Sequence, residues 1–254
     1  MDAEVKSGGR APNVTARLYG VLCGSALGAF PVVLAFCYVA YLLAPSLPLY
    51  VWIALTPFVY LVAKWVFNLI ALGLIRASLR PVEEGYYEMD PANPNVGSWM
   101  LNASLTSMGR YLVGFLPLGQ PGLASHVLRI LGARIGRNAI ASSVIDPPLV
   151  EMGEGSVAGG GSIISGHALD GKKIYIGRVK IGRNVLIGGN TIVLPGVEIG
   201  DGAVVAAMSL IPKKTRIPPR TVWMGIPARQ VGYVDEEGNI IIEQGKDGSV
   251  SGHI

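Results

Sequence analysis

The chain has 254 residues, half of them hydrophobic and only 15% charged, with a net charge of +4. A mean hydropathy of +0.45 is too apolar for a wholly soluble protein of this length, so part of the chain is expected to meet lipid. The pI near 9.1 suits a surface facing anionic lipid, and basic and aromatic residues are not interleaved as nucleic-acid binding requires, which excludes that class.

Residues 1–17 read as a short tail carrying Lys6, Arg10 and Arg17. Two apolar runs follow. Residues 18–44 hold no charge, and residues 49–75 hold only Lys64. Each exceeds the roughly 20 residues that cross a bilayer core. Pro45, Ser46 and Pro48 separate them, and Tyr19, Tyr41, Tyr50 and Trp52 lie near the ends, where amphipathic rings suit the headgroup region. The pattern predicts a two-helix transmembrane hairpin over 18–79. A signal peptide is the competing reading, but the first run is too long and a second span follows directly. Basic residues flank the hairpin outside its loop, which predicts a multi-pass inner-membrane protein with both termini and the C-terminal domain in the cytoplasm. Lys64 is expected to snorkel or pair with another helix.

Residues 80–132 read as a linker with membrane-interfacial helices. Pro81, Pro91 and Pro94 with Asp90, Asn93 and Asn95 mark an irregular stretch. Residues 99–116 are apolar except for Arg110, and 124–131 can form a short helix. The expectation is that 99–131 lies on the membrane surface, with a re-entrant span as the alternative.

From residue 133 the pattern changes. Ile181, Ile187, Val193, Ile199, Val205 and Ile211 recur every six residues. Helices repeat near 3.6 and half-buried strands at 2, so neither explains it. The residues two places before each next aliphatic (Val185, Thr191, Val197, Ala203, Ser209) are small or β-branched, and Gly182, Gly188 and Gly200 directly follow an aliphatic. A period of six places one inward aliphatic on each short flat face, with a turn before the next. It predicts a parallel β-helix of hexapeptides over 133–232. The phase continues upstream through Ile135 and Ala141, then Met152, Ala158 and Ile164. It slips at 146–151 and at 165–175, which are expected to be loops leaving the prism at a corner, where chemistry tends to sit. Residues 233–254 read as a β-hairpin followed by a flexible tail.

Gly166-His167, the run Ile181-Gly182-Arg183-Asn184-Val185-Leu186-Ile187-Gly188-Gly189, Val193-Leu194-Pro195-Gly196-Val197, Ile199-Gly200-Asp201-Gly202 and the ending Gly225-Ile226-Pro227-Ala228-Arg229 resemble the hexapeptide-repeat, left-handed β-helix acyltransferases. The likeness is to the maltose, galactoside and xenobiotic acetyltransferase branch, here with an N-terminal membrane anchor. The resemblance implies a mainly β fold with a left-handed, three-sided prism and eighteen residues per coil. It also implies a homotrimer with active sites between neighbouring prisms and acetyl-CoA, or another acyl-CoA, as co-substrate without a metal. Ile226 stands where the family has Asn.

His167 then becomes the expected general base, since imidazole titrates near neutrality and can take a proton from a hydroxyl or amine and return it. Asp146 and Asp170 are the candidates for orienting its other nitrogen, with Asp146 brought close by a neighbouring subunit and Asp170 more at home in a turn with Gly171. Backbone N–H groups of Gly188 or Gly189 are candidate oxyanion donors. Ala207 and Ser209 lie where the family pairs the pantetheine arm, and Lys213 and Arg229 match basic positions suited to phosphates. The expected function is a membrane-anchored O- or N-acyltransferase acting on an envelope or lipid-linked acceptor. A non-catalytic trimeric scaffold at the membrane is the alternative. A zinc hydratase built on the same prism would need three His ligands, and residues 133–232 contain only His167.

Overall fold

The computed structural model describes residues 30–39, 41–42, 48–114, 121–141 and 143–242. They fall into two compact units, one within residues 12–79 and the other from residue 80 onward.

In the first unit, helix α1 (Phe30–Val39) and helix α2 (Leu49–Ser78) meet through Val33 and Ala63, with Cys37, Val59, Tyr60 and Phe67 packed around them. Within α2, residues Ile53–Ser78 are long and apolar enough to cross a membrane. Side chains such as Ile53, Phe58, Leu61 and Leu74 are exposed, which suits lipid better than a protein core. The described part of α1 is ten residues, shorter than a membrane span. Residues 18–29 and 43–47 lie outside the described residues, so the expected hairpin rests on one spanning helix.

The second unit opens with strand β1 (Gly85–Glu88), helix α3 (Pro94–Gly114) and helix α4 (Pro121–Ile130). The Asn93-Pro94 pair, read from sequence as irregular, starts α3: the Asn93 side chain accepts the Asn95 N–H at 3.0 Å, and Pro94 occupies a position that needs no N–H partner. Residues Val96, Leu101 and Leu105 are buried, so one face of α3 packs into this unit. Helix α4 caps the open end of the prism. Its Leu128 joins the prism core, and the Arg129 guanidinium donates to the carbonyls of Ile135 and Gly136.

The prism has three parallel faces. The first holds β2 (Arg134–Ile135), β3 (Val150–Met152), β8 (Val179–Ile181), β11 (Glu198–Ile199) and β14 (Arg216–Ile217). The second holds β4 (Val157–Ala158), β9 (Leu186–Ile187), β12 (Val204–Val205) and β15 (Thr221–Gly225). The third holds β5 (Ile163–Ile164), β10 (Ile192–Val193) and β13 (Leu210–Ile211). Ile181 pairs with Ile199, Ile187 with Val205 and Val193 with Ile211, so each partner lies eighteen residues on. All six repeat aliphatics are no more than 4% exposed, as are the five corner residues that precede them.

Two features let the coils close. A left-handed residue recurs at each corner, filled by Asn184, Asn190, Gly196 and Gly202 in the middle coils; Asn and Gly tolerate that conformation best. Glycine also lets neighbouring coils touch. A Cβ on Gly153 would lie 2.4 Å from the Gly182 carbonyl oxygen, and one on Gly188 would lie 2.3 Å from the Ala207 nitrogen.

The two slips take different forms. The first is a 3-10 turn, Pro147–Leu149, preceded by Asp146. The second is an antiparallel hairpin of β6 (His167–Asp170) and β7 (Lys173–Ile176), turned at Gly171 with φ +61°. β1 adds to its far edge, Gly85 opposite Ile176. A satellite core of Val82, Tyr87, Val96, Leu149, Ile174 and Ile176, with Trp99 and Met100 against it, joins this sheet to α3 and the 3-10 turn. At the far end β15 doubles back through β16 (Ala228–Val234), which pairs with β17 (Ile240–Ile242). The expected hairpin after residue 232 is there, and its first strand begins earlier.

Candidate active site

His167 is the first residue of β6, where the chain leaves the third face of the prism. Its Nδ1 lies 2.7 Å from Asp146 Oδ2. Asp146 comes from the same chain, not from a neighbouring subunit as expected from sequence. The 3-10 turn after Asp146 and the β5-to-β6 corner pack together, and Gly166 makes that possible. A Cβ there would lie 2.6 Å from the Leu149 Cβ and 3.2 Å from the Asp146 Cβ.

Two N–H groups and the His167 imidazole converge on the Asp146 carboxylate, which is 3% exposed. Oδ2 accepts the Gly166 backbone N–H at 2.9 Å and faces His167 Nδ1. Oδ1 accepts the Trp99 indole N–H at 2.8 Å. An ionised carboxylate has only acceptors, so this arrangement suits the charged form and assigns the His167 proton to Nδ1. Nε2 is then left with a free lone pair. The His167 side chain keeps 21% of its surface open, enough for a small reacting group to reach it. The Ser165 hydroxyl closes the corner by donating to the His167 carbonyl at 2.8 Å. Trp99 also packs its ring against the imidazole, with centroids 4.6 Å apart and planes tilted by 57°. Sequence reasoning missed Trp99: it lies 47 positions before Asp146, in a stretch read as interfacial. The signal it offered was a polar-tipped aromatic beginning an apolar helix.

The remaining candidates spread over the prism. Asp170 sits at the hairpin turn, where both carboxylate oxygens hold Lys213 Nζ at 2.6 Å. It therefore latches the hairpin and does not orient His167. Lys214, next in sequence to Lys213, lies over the rings of Tyr86 and Tyr175, 5.0 and 4.7 Å from their centroids, and those rings stack 4.6 Å apart. Burial first, and then Glu84 and Tyr86, push the Tyr175 phenol above its ordinary value, so it stays neutral under the Lys214 cation.

Gly188 and Gly189 lie at the opposite end of the third face from His167. The Gly188 N–H is committed to the Val205 carbonyl at 2.8 Å, which removes it as an oxyanion donor: stacking of the coils uses the group. Gly189 accepts the Met208 N–H through its carbonyl. Ala207 is exposed at the same corner. Ser209 is 2% exposed and its hydroxyl accepts the Gly225 N–H at 3.2 Å, so its side chain faces inward. Arg229 is exposed in the end cap, with one guanidinium nitrogen on the Ala228 carbonyl. Of the sequence-derived set, Asp146 is the residue that meets His167 among the described residues, while Asp170 meets Lys213 instead.

Residues 178–213 match the family model described as bacterial transferase hexapeptide, six repeats. Among curated proteins, YvoF of Bacillus subtilis (strain 168), whose name assigns it provisionally to the acetyltransferases, is 37% identical over 98 residues, covering 39% of this chain and 55% of YvoF. The galactoside O-acetyltransferase of Escherichia coli (strain K12) is 31% identical over 112 residues, covering 40% of this chain and 54% of that enzyme. The chain thus spans about half the length of these relatives. Among solved structures, a galactoside acetyltransferase in complex with coenzyme A aligns with a TM-score of 0.45 at 20% identity, covering 54% of this chain and 82% of that one.

Proposed function

We propose that this chain is a membrane-anchored acyltransferase. It moves an acyl group, acetyl first among the candidates, from acyl-coenzyme A to a hydroxyl or amine of an envelope or lipid-linked acceptor. The observation that carries the reading is the His167–Asp146 pair, set at the corner of a prism whose repeat matches the transferase hexapeptides. Asp146 holds the Nδ1 proton, and the Nε2 lone pair takes the proton of the acceptor O–H or N–H as that atom attacks the thioester carbonyl carbon. The tetrahedral oxyanion collapses, the carbon–sulfur bond breaks, and the proton on Nε2 passes to the departing coenzyme A thiolate. The imidazolium that forms in between is stabilised by the buried carboxylate.

Several features support the finer parts of the proposal. The outward positions on the first face are charged: Arg134, Glu151, Lys180, Glu198 and Arg216, linked by ion pairs of 2.7 to 3.3 Å. Those on the other two faces are Val157, Leu186, Val204, Ile163, Ile192 and Leu210, with Leu186 and Ile192 exposed at 46% and 38%. Two apolar faces beside one charged face suit a trimer of left-handed prisms packed side by side, with each active site in a cleft between neighbours. In that cleft Gly189 and Ala207 of one protomer could reach the chemistry at another, with Lys213 and Arg229 toward the coenzyme A phosphates. α2 would anchor the protein in the inner membrane as half of a hairpin, with the prism in the cytoplasm.

The test is acyl transfer by the purified protein in detergent. Thiol release from acetyl-CoA is followed against a panel of nucleotide sugars, lipid-linked sugars and amines, with calorimetry for acetyl-CoA binding. Wild type should bind the thioester and turn over with at least one acceptor class, and His167→Ala should bind it and not turn over. Absence of binding at millimolar acetyl-CoA sinks the enzyme reading in favour of a scaffold.

A further inference from the structure

We infer, resting on that reading of the site, that Trp99 is a positioning residue for the Asp146–His167 pair, so that helix α3 builds one wall of the active site. The two Asp146 oxygens are served separately. Oδ2 takes the Gly166 N–H and faces His167, while Oδ1 takes the Trp99 indole N–H. Without the indole donor, the carboxylate would keep a buried oxygen unsatisfied at 3% exposure. Rotating toward its other donors would pull Oδ2 out of line with Nδ1.

The ring adds a second constraint. With its centroid 4.6 Å from that of the imidazole at a 57° tilt, it obstructs the half-turn about Cβ–Cγ that would put Cδ2 in place of Nδ1 against the carboxylate. Together the two contacts fix which nitrogen carries the proton and where the free lone pair points. Packing alone does not ask for tryptophan here. Met100, the next residue, shows that an aliphatic side chain fills the same satellite core, whereas only an indole puts both an N–H on the carboxylate and a flat ring on the imidazole. Nor is Trp99 placed adaptively. α3 is anchored just before it by the Asn93 cap and by the Ser98 hydroxyl, which donates to the Arg80 carbonyl at 2.8 Å.

The experiment uses the full-length protein in detergent with 15N-labelled histidine. The chain has three histidines, and the His167 ring signals are assigned by their loss in His167→Ala. Wild type should show a neutral His167 ring protonated at Nδ1. Trp99→Phe keeps an aromatic ring and deletes the donor; it should give mixed tautomers, with kcat reduced about tenfold and KM for acetyl-CoA unchanged. A Trp99→Phe protein that keeps a single Nδ1–H tautomer and wild-type kcat, losing only thermal stability, overturns the proposal in favour of packing. If Trp99→Phe does not fold, site-specific benzothienylalanine at 99 keeps the ring size without the N–H and is read the same way. The tautomer signal needs no turnover. A wild type that transfers no acyl group refutes the acyltransferase reading, and the Trp99 result still stands or falls by itself.

Discussion

His167 and Asp146 lie 2.7 Å apart although a full turn of the prism separates them in sequence. The contact exists because both places where the hexad phase slips occupy one corner. One slip supplies the carboxylate on a 3-10 turn, the other supplies the imidazole on a hairpin, and Gly166 lets them touch.

The first prediction concerns Asp146→Asn, a near-isosteric change that removes the charge. An amide has one acceptor oxygen and one NH2 donor. With its oxygen toward Gly166 and His167, its NH2 faces the Trp99 N–H; reversed, the NH2 faces Gly166 N–H and Nδ1. Each orientation sets a donor against a donor, and the second favours the wrong imidazole tautomer. Turnover should drop by about 10²- to 10⁴-fold, with acetyl-CoA affinity within a few-fold of wild type. Steady-state kinetics and calorimetry check both, and unchanged kcat would remove Asp146 from the mechanism.

Gly166→Ala tests the corner. Its Cβ would fall 2.6 Å from the Leu149 Cβ, and neither the turn nor β6 can shift without moving Asp146 from His167. The variant should lose roughly 1–3 kcal/mol of stability and most of its turnover. Chemical denaturation and kinetics report the two effects. Full activity would mean that the corner relaxes without disturbing the pair.

The prism was legible because its physics is local and periodic: one aliphatic such as Ile187 at the core and one small residue such as Val185 at the corner every six positions. The same regularity made His167 stand out, since it sits where the rule fails. What the slips become was not legible. Residues 165–175 have few apolar residues, and their strand pairing is completed by Gly85 to Glu88, some eighty residues upstream. Trp99 was hidden for a related reason. The buried face of α3, with Val96, Leu101 and Leu105, reads as well for a membrane surface as for a protein one, and hydropathy does not say which neighbour covers it. Gly188 misled in the opposite way: the repeat placed it correctly, but the stacking of the coils had already used its N–H.

Asp170 and Lys213 make a further testable pair. The ammonium is held by both carboxylate oxygens at 2.6 Å, and a bound phosphate would compete for it. Asp170→Asn should release Lys213 and tighten coenzyme A binding a few-fold, and Lys213→Ala should weaken it by about three- to tenfold, both read by calorimetry. Weaker binding in Asp170→Asn would mean that the latch, through the order it gives the hairpin, matters more than the competition.

Asp201 gives the pH prediction. Chiefly the backbone N–H of Arg183, and also its guanidinium, hold the Asp201 carboxyl below its ordinary value. A carboxyl depressed in the folded state stabilises the fold fully above its unfolded value, roughly 3.9. That stabilisation is lost as pH falls through the lower folded value. Asp201→Asn keeps an acceptor for the Arg183 N–H and cannot titrate. The stability gap between wild type and Asp201→Asn should therefore stay constant from about pH 8 to 5 and shrink below about pH 4, as measured by urea midpoints. The gap will be small, since half the Asp201 side chain is open to solvent. A gap that widens on acidification would contradict the assignment.

The last prediction addresses assembly. Ile192 points outward from the third face, paired with Ile163 and Leu210 on either side, and is 38% exposed. In an isolated prism, Ile192→Glu loses little, because an exposed strand position tolerates a charge. Buried against a neighbouring prism, the same carboxylate would lie in an apolar contact without a partner, at a cost of several kcal/mol per copy, repeated three times around a three-fold axis. Ile192→Glu should keep the thermal transition of the prism but run as a monomer by light scattering in detergent, and it should lose acyl transfer if each site needs a neighbour. Arg134→Gln, on the charged face, is the control and should stay trimeric. A trimer that survives Ile192→Glu would move the interface off the third face, and a monomeric wild type would leave the His167–Asp146 pair to act within a single prism.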